Sequence, residues 1–138
     1  MSALTNYLEN RLISHVLRNQ AYTTPGTSVY IGLIKFYESS KLETSSTTQE
    51  VATGSYARTQ HTDWRSPITV GTSGVIDNNS AVTFPTATAD WGMVSGVFIA
   101  DAATAGNILM HGSLTTARDV KNGDVFKFNA NDLDITFS

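Results

Sequence analysis

The sequence predicts a mainly β domain: an antiparallel β-sandwich of about eight strands with one amphipathic helix at its N-terminus. Three observations predict it. Turn signals recur at intervals of about 8–12 residues through most of the chain, the rhythm of short sandwich strands. Leu133, Ile135 and Phe137 alternate with Asp134 and Thr136, and this period of two means a strand with one buried face. Only one stretch, near the N-terminus, has helical spacing of its apolar residues.

Taken in order, residues 3–19 read as that helix, inside an N-terminal segment 1–20. Leu4, Leu8, Leu12 and Val16 recur every fourth residue, and Ile13 and Leu17 widen the stripe. Asn6 with Glu9 forms a candidate capping box, and Ser2 is a rival cap. Arg18 stands where a cation complements the helix dipole. The stripe must cover either the sheet of its own subunit or a neighbouring subunit. Thr24, Pro25 and Gly26 then break the chain, and the sandwich follows over 27–138. Val29, Ile31 and Leu33 alternate with Tyr30, Gly32 and Ile34, apolar on both sides, as in an interior strand.

Residues 39–54 are rich in Ser and Thr and poor in apolar side chains, which predicts a long exposed loop. Strand character returns at 54–61. Trp64 and Pro67 mark a bend, 68–70 reads as a short edge strand, and 71–74 and 77–79 read as turns. Further strands are expected at 81–84, closed by Pro85, and at 93–100, where Gly96 signals a bulge or a close backbone approach. The remaining strands are expected at 107–114, 125–129 and 133–137. Asn122-Gly123 between them is the strongest hairpin signal in the chain.

Composition narrows the function. At 138 residues the chain is one domain, 1–138, large enough to bury a core without staples. It has no cysteine, hence no disulfide framework and no cysteine-bearing zinc site. A net charge of -3 argues against nucleic acid, whose phosphates need clustered Lys and Arg. No apolar run approaches a membrane span, and Glu9, Asn10 and Arg11 interrupt any signal-peptide core. Charged residues are 15%, below the ~25% usual in soluble domains, and Ser, Thr and Asn replace them. Such a surface suits close packing between proteins.

Chemistry is hard to find. His15, His61 and His111 lack partners at metal-ligand spacing. Asp101 opens a run of Ala, Thr and Gly without the alternating oxygens of a calcium loop, so it reads as a polar turn bonded to its own backbone. Asp132 and Asp134 face outward on the last strand, without the burial that acid–base pairs need. The glycines do not form a phosphate cradle, and no serine sits in a nucleophile elbow. Trp64 and Trp91 are a candidate platform for a sugar ligand. The commoner fate of such residues is core packing, with the indole N–H bonded to a carbonyl. The expectation is no enzyme, no cofactor and no metal.

Several runs in fixed order carry a resemblance. They are Tyr56-Ala57-Arg58, the stretch from Asn79 to Pro85, the stretch from Ala87 to Gly92, the stretch from Phe98 to Ala103, and Gly106-Asn107-Ile108-Leu109. Gly112-Ser113-Leu114 and the stretch from Val120 to Asp124 complete the set. Together with the Leu-rich opening and Tyr30-Ile31-Gly32-Leu33, this resembles small structural proteins of tailed bacteriophages, of tail-fibre or minor-tail type and similar to capsid cement proteins. Residues 36–53 depart from that pattern, where a shorter acidic-glycine loop is usual. The resemblance implies a non-catalytic virion protein. Its partners would be other virion proteins (major capsid or tail), in a homo-oligomer such as a trimer, either cementing the capsid or sitting in the tail–fibre assembly. In that role Asp90 caps a turn and Trp91 fills a corner. The expected contact residues are Leu4, Leu8 and Leu12 on the helix and Lys41, Leu42 and Glu43 in the loop. Two rivals stand beside it. A carbohydrate-binding module would need Trp64 or Trp91 exposed in a groove, and a glycan hydrolase would need two carboxylates about 5–10 Å apart in a cleft.

Overall fold

A computed structural model of the protein describes residues 3–22, 28–65 and 75–136. Strand β1 (Ala3–Leu4) leads directly into helix α1 (Asn6–Arg18). The helix starts at Thr5, not at Asn6 or Glu9. The Thr5 hydroxyl accepts from the Leu8 N–H at 3.4 Å and donates to the Ile108 carbonyl, so one buried side chain caps the helix and fixes it to the sheet. Asn19 closes the helix in the left-handed conformation with φ 52°, returning its N–H to Ser14.

The main sheet has the order β1-β7-β6-β2-β3, every ladder antiparallel. Its members are β2 (Val29–Ile34), β3 (Thr59–His61), β6 (Gly92–Ala100) and β7 (Ile108–Val120), with β1 on the outer edge. Two further antiparallel ribbons pair β4 (Val75–Asp77) with β9 (Asp134–Thr136), and β5 (Val82–Thr83) with β8 (Lys127–Phe128). The ribbons stack on one face of the sheet. Ile31, Leu33, Val97, Ile99 and Leu109 from the sheet share a single buried cluster with Val82, Phe84, Phe128, Leu133 and Ile135. The arrangement is the sandwich-like, mainly β architecture expected.

Interior-strand character at 29–34 has a clear cause. The alternate residues Ile34, Phe98, Ala100 and Ile108 form a second buried cluster on the opposite face, closed by Leu42. Leu42 belongs to a short helix, α2 (Ser39–Leu42). The stretch 39–54 is therefore not wholly a solvated loop: Leu42 covers the sheet's second face and Val51 joins the main cluster, while Ser39, Ser40 and Lys41 stay exposed. Leu42 and Val51 are buried, and the Val51 N–H reaches Leu33 at 3.0 Å. One leucine in a Ser/Thr-rich run carries too little local signal to announce this.

Other boundaries shift for physical reasons. Residues 54–58 are irregular, because Gly54 sits at φ +61° and Tyr56 and Arg58 turn inward. Strand β7 runs on to Val120 by pairing with β6 as far as Gly92. Between the pairs Val94↔Arg118 and Gly96↔Ser113, Ser95 alone faces the stretch 114–117, so β7 bulges outward there. Gly96 also meets Tyr37 closely, since a Cβ on it would lie 2.8 Å from that ring. Both expectations for Gly96 are met.

Asn122-Gly123 forms a turn but not a hairpin. Only Gly123 takes positive φ (+91°), which fits a type II turn and not the primed turns that match strand twist. The Gly123 N–H instead donates to Ala87, and the Asn122 N–H to the Asp90 carboxylate at 2.8 Å. The turn is thus fastened to the crossover before β6, with Asp90 as its cap. Strand β4 was not expected. It is tied to the other ribbon by Asn78, whose buried amide donates to Ser80 and Asn129 and accepts from the Leu133 N–H. The expected chain break at 24–26, the Ser2 cap, the Pro67 bend, the edge strand at 68–70, the turn at 71–74 and Phe137 lie outside the described residues.

Candidate interaction surface

Helix α1 has two apolar faces. Leu8 is buried in the main cluster, and Tyr7 and Leu12 pack against it, together with Leu4, which is not on the helix as expected but in β1, paired with Met110. Each residue advances about 100° around a helix, so Leu17, nine residues after Leu8, lies about 180° from it. Ile13, Val16 and Leu17 are 55%, 73% and 78% exposed. Even the fourfold stripe drifts by about 40° per step, which carries Val16 off the sheet. The expected contact set is corrected accordingly. Leu8 is spent inside its own subunit, Leu4 and Leu12 are half-buried there, and the outward apolar residues are Ile13, Val16 and Leu17. The wheel position of Leu17 relative to Leu8 is the sequence signal that identifies them.

The loop set divides in the same way. Lys41 faces outward and pairs with Glu38 at 3.0 Å, which lowers the Glu38 pKa. Leu42 points into the second cluster and so cannot be a contact residue. Glu43 is half-buried, and its carboxylate meets the His111 Nε2 at 3.0 Å. The other ring nitrogen of His111 meets the Tyr37 hydroxyl at 3.0 Å, and burial raises the Tyr37 pKa. The imidazole is fully enclosed, with both nitrogens occupied by protein partners.

Trp91 is buried, with its ring edge-on to Tyr56 at 5.4 Å. It fills a corner and offers no platform. The aromatic packing leaves its indole N–H without the expected carbonyl partner. Trp64 is half-buried, with His61 packed edge-on against it at 4.8 Å, and it stands at the mouth of a cleft of ≈ 190 Å³. The cleft opens between the main sheet and the β4–β9 ribbon and is lined by apolar side chains, among them Val29, Ile76, Ile99 and Ile135.

A larger cleft, ≈ 360 Å³, borders Glu50, Tyr56 and Arg58. Its polar groups are already engaged. Arg58 Nε and a terminal nitrogen grip both Glu50 oxygens at 2.9 Å, and its other terminal nitrogen donates to the carbonyls of Ala102 and Ala105. The Tyr56 hydroxyl donates to Glu50 and accepts from the Leu33 N–H. Hydrogen bonding to Glu50 raises the Arg58 pKa, and burial raises that of Tyr56. This network braces the 101–107 turn against the sheet. Inside that turn Asp101 accepts from the Asn107 backbone N–H at 2.7 Å, the self-bonded polar turn expected. Among the described residues no group of three or more His, Cys, Asp or Glu is placed to hold a metal. No helix among the described residues is long and apolar enough to cross a membrane.

Among the described residues, Ile13, Val16 and Leu17 stand in solvent, while the side chains of Arg58, Glu50 and His111 are bonded within the chain. No curated protein sequence matches this one. A family described as podophage GP4 fiber I protein gp80 matches over residues 3–136, nearly the whole chain. The chain belongs to that family, and with it to the structural fibre proteins of the phage virion.

Proposed function

We propose that the protein is a non-catalytic assembly subunit of the phage fibre, working by binding other virion proteins and further copies of itself. The observation that carries this reading is the outer face of α1. Three large aliphatic side chains stand in solvent on the side of the helix facing away from its own core. Burying them is worth about 1.5–3 kcal/mol each at full burial, and a partner can supply that cover. The closed networks at Arg58 and His111 support the non-catalytic part, since their polar atoms are taken by structural partners. The family's description as a fibre protein supports a role in fibre assembly over one as capsid cement. The carbohydrate alternative loses Trp91 to the core and retains only the half-covered Trp64.

A trimer is the proposed first assembly, and light scattering on the purified chain tests it. Mass should rise with concentration above that of the 14.9 kDa chain. A monomer at every concentration would sink the self-association part. Immunogold labelling of intact particles tests the location: gold on fibres is expected, and gold confined to the head would return the assignment to cement.

A further inference from the structure

The bulge in β7 borders a groove of ≈ 220 Å³. Thr115, Thr116 and Arg118 line it from β7, and Phe126, Lys127 and Asp132 line it from the chain around β8. All of these belong to the described residues. We infer that the groove binds a small hydroxylated carboxylate, about the size of one sugar-acid ring. This goes beyond the assembly reading and holds whether or not copies associate.

Two unpaired cations meet in this groove. Arg118 lies over the Phe126 ring, with its guanidinium carbon 5.6 Å from the ring centre. That contact holds the planar group by its face and leaves its N–H donors free. Among the described residues, no hydrogen bond or ion pair engages those donors or the Lys127 ammonium. Other cations have carboxylate partners: Lys41 has Glu38, Arg58 has Glu50, Arg65 has Asp77 and Lys121 has Asp119. In a protein of net charge -3, two bare cations on one groove mark a place for an anion. The guanidinium fork matches a planar carboxylate through two parallel bonds.

Charge balance and lining narrow the ligand further. Asp132 brings a negative charge to the groove, which leaves a balance of one positive charge. A carboxylate neutralises that, whereas a phosphate monoester, at about -1.5 to -2, exceeds it. Asp132 spends one oxygen on the Asn129 N–H at 3.0 Å, and the other can accept from a ligand hydroxyl. The Thr115 and Thr116 hydroxyls, carried on the bulge, are further donors and acceptors. A bare carboxylate would use the cations and leave these groups idle. The groove, at ≈ 220 Å³, is smaller than the roughly 300–1,000 Å³ of pockets for drug-sized ligands. It is larger than the cavity of about 150 Å³ that takes a benzene ring, so one substituted ring is the fitting size.

The test titrates the isotope-labelled full chain with sodium D-glucuronate at fixed ionic strength and follows the amide resonances. Saturable shifts confined to the amides of 114–118 and 126–132 are expected, with a Kd in the millimolar range. Arg118→Gln should weaken binding about tenfold or more, as the loss of one charge-assisted contact. Arg118 is exposed, so the melting temperature should hold; if it falls, Lys127→Gln takes its place. Arg18→Gln, on α1, should leave the affinity unchanged. D-glucose and acetate carry the two halves of the ligand separately, and each should bind at least about tenfold more weakly than glucuronate. Glucose or acetate binding as well as glucuronate overturns the proposal. So does an equal loss in Arg18→Gln, which would mean diffuse attraction, or the absence of localised shifts at tens of millimolar glucuronate.

Discussion

Arg58 engages its three guanidinium nitrogens within the chain, and Glu50 engages both carboxylate oxygens. With side-chain exposures of 4% and 15%, removing one partner leaves the other nearly desolvated. Arg58→Ala is expected to cost about 3–5 kcal/mol in urea unfolding. Arg58→Lys should recover little of it, because a point charge cannot reproduce the fork. Tyr56→Phe removes a donor to Glu50 and the acceptor for the Leu33 N–H, at about 1–3 kcal/mol. The same residue sets an alkaline limit. Its folded pKa lies above the unfolded value of about 10, so above that pH the unfolded chain releases a proton that the folded chain keeps. Stability is then present in full below about pH 10 and falls as pH rises beyond it. Tyr22 and Tyr37 shift in the same direction. Tyr56→Phe should flatten most of that slope in urea titrations run from neutral to alkaline pH; an unchanged slope would assign it to the other tyrosines. Nothing in the local sequence announces this network. Tyr56 and Arg58 stand in a run that looks like a strand, and their partners lie across a Ser/Thr-rich segment and in a turn 44 residues away.

At the scale of elements, two glycines matter for opposite reasons. Gly32 faces Phe98 across the β2–β6 ladder, and a Cβ there would lie 2.2 Å from the ring. Gly32→Ala should cost about 1–3 kcal/mol through overpacking. Adding Phe98→Leu should give a double variant less destabilised than the sum of the two singles. Strict additivity in chemical denaturation would refute the ring clash. Gly123 has open space around its missing Cβ but a φ of +91°. Gly123→Ala should therefore cost about 1–2 kcal/mol from backbone conformation alone, with no partner substitution able to relieve it. Both glycines are visible in the sequence, but their roles are not. Asn-Gly reads as a hairpin because such dipeptides favour paired turns. What diverts it is Ala87 and Asp90 reaching the turn from an earlier crossover. The apolar strands at 29–34 and 93–100 and the alternating one at 134–136 are legible because burial on a pleat acts residue by residue. Strand β4 is short, and its partner β9 lies far along the chain, so its pairing leaves little local trace.

For the whole molecule, the two faces of α1 separate stability from assembly. Leu8→Ala should destabilise the subunit by about 2–5 kcal/mol as a buried truncation. Leu17→Asp should shift stability by no more than about 0.5 kcal/mol, being an exposed site, while lowering the multimer mass in light scattering. A destabilisation by Leu17→Asp comparable to that by Leu8→Ala would mean that the outer face supports its own subunit. The class of the fold, the helix at one end, the inward and outward sides of the main strands and the phage kinship are all readable from residue order. Each depends on periodicity or on short runs of neighbours. The reading goes astray wherever the deciding partner is distant in the chain: Leu42 turning under the sheet, Glu43 drawn to His111. It also cannot tell which apolar side of α1 the subunit will cover. That choice follows from where Thr5 anchors the helix on β7, a contact between residues more than a hundred positions apart.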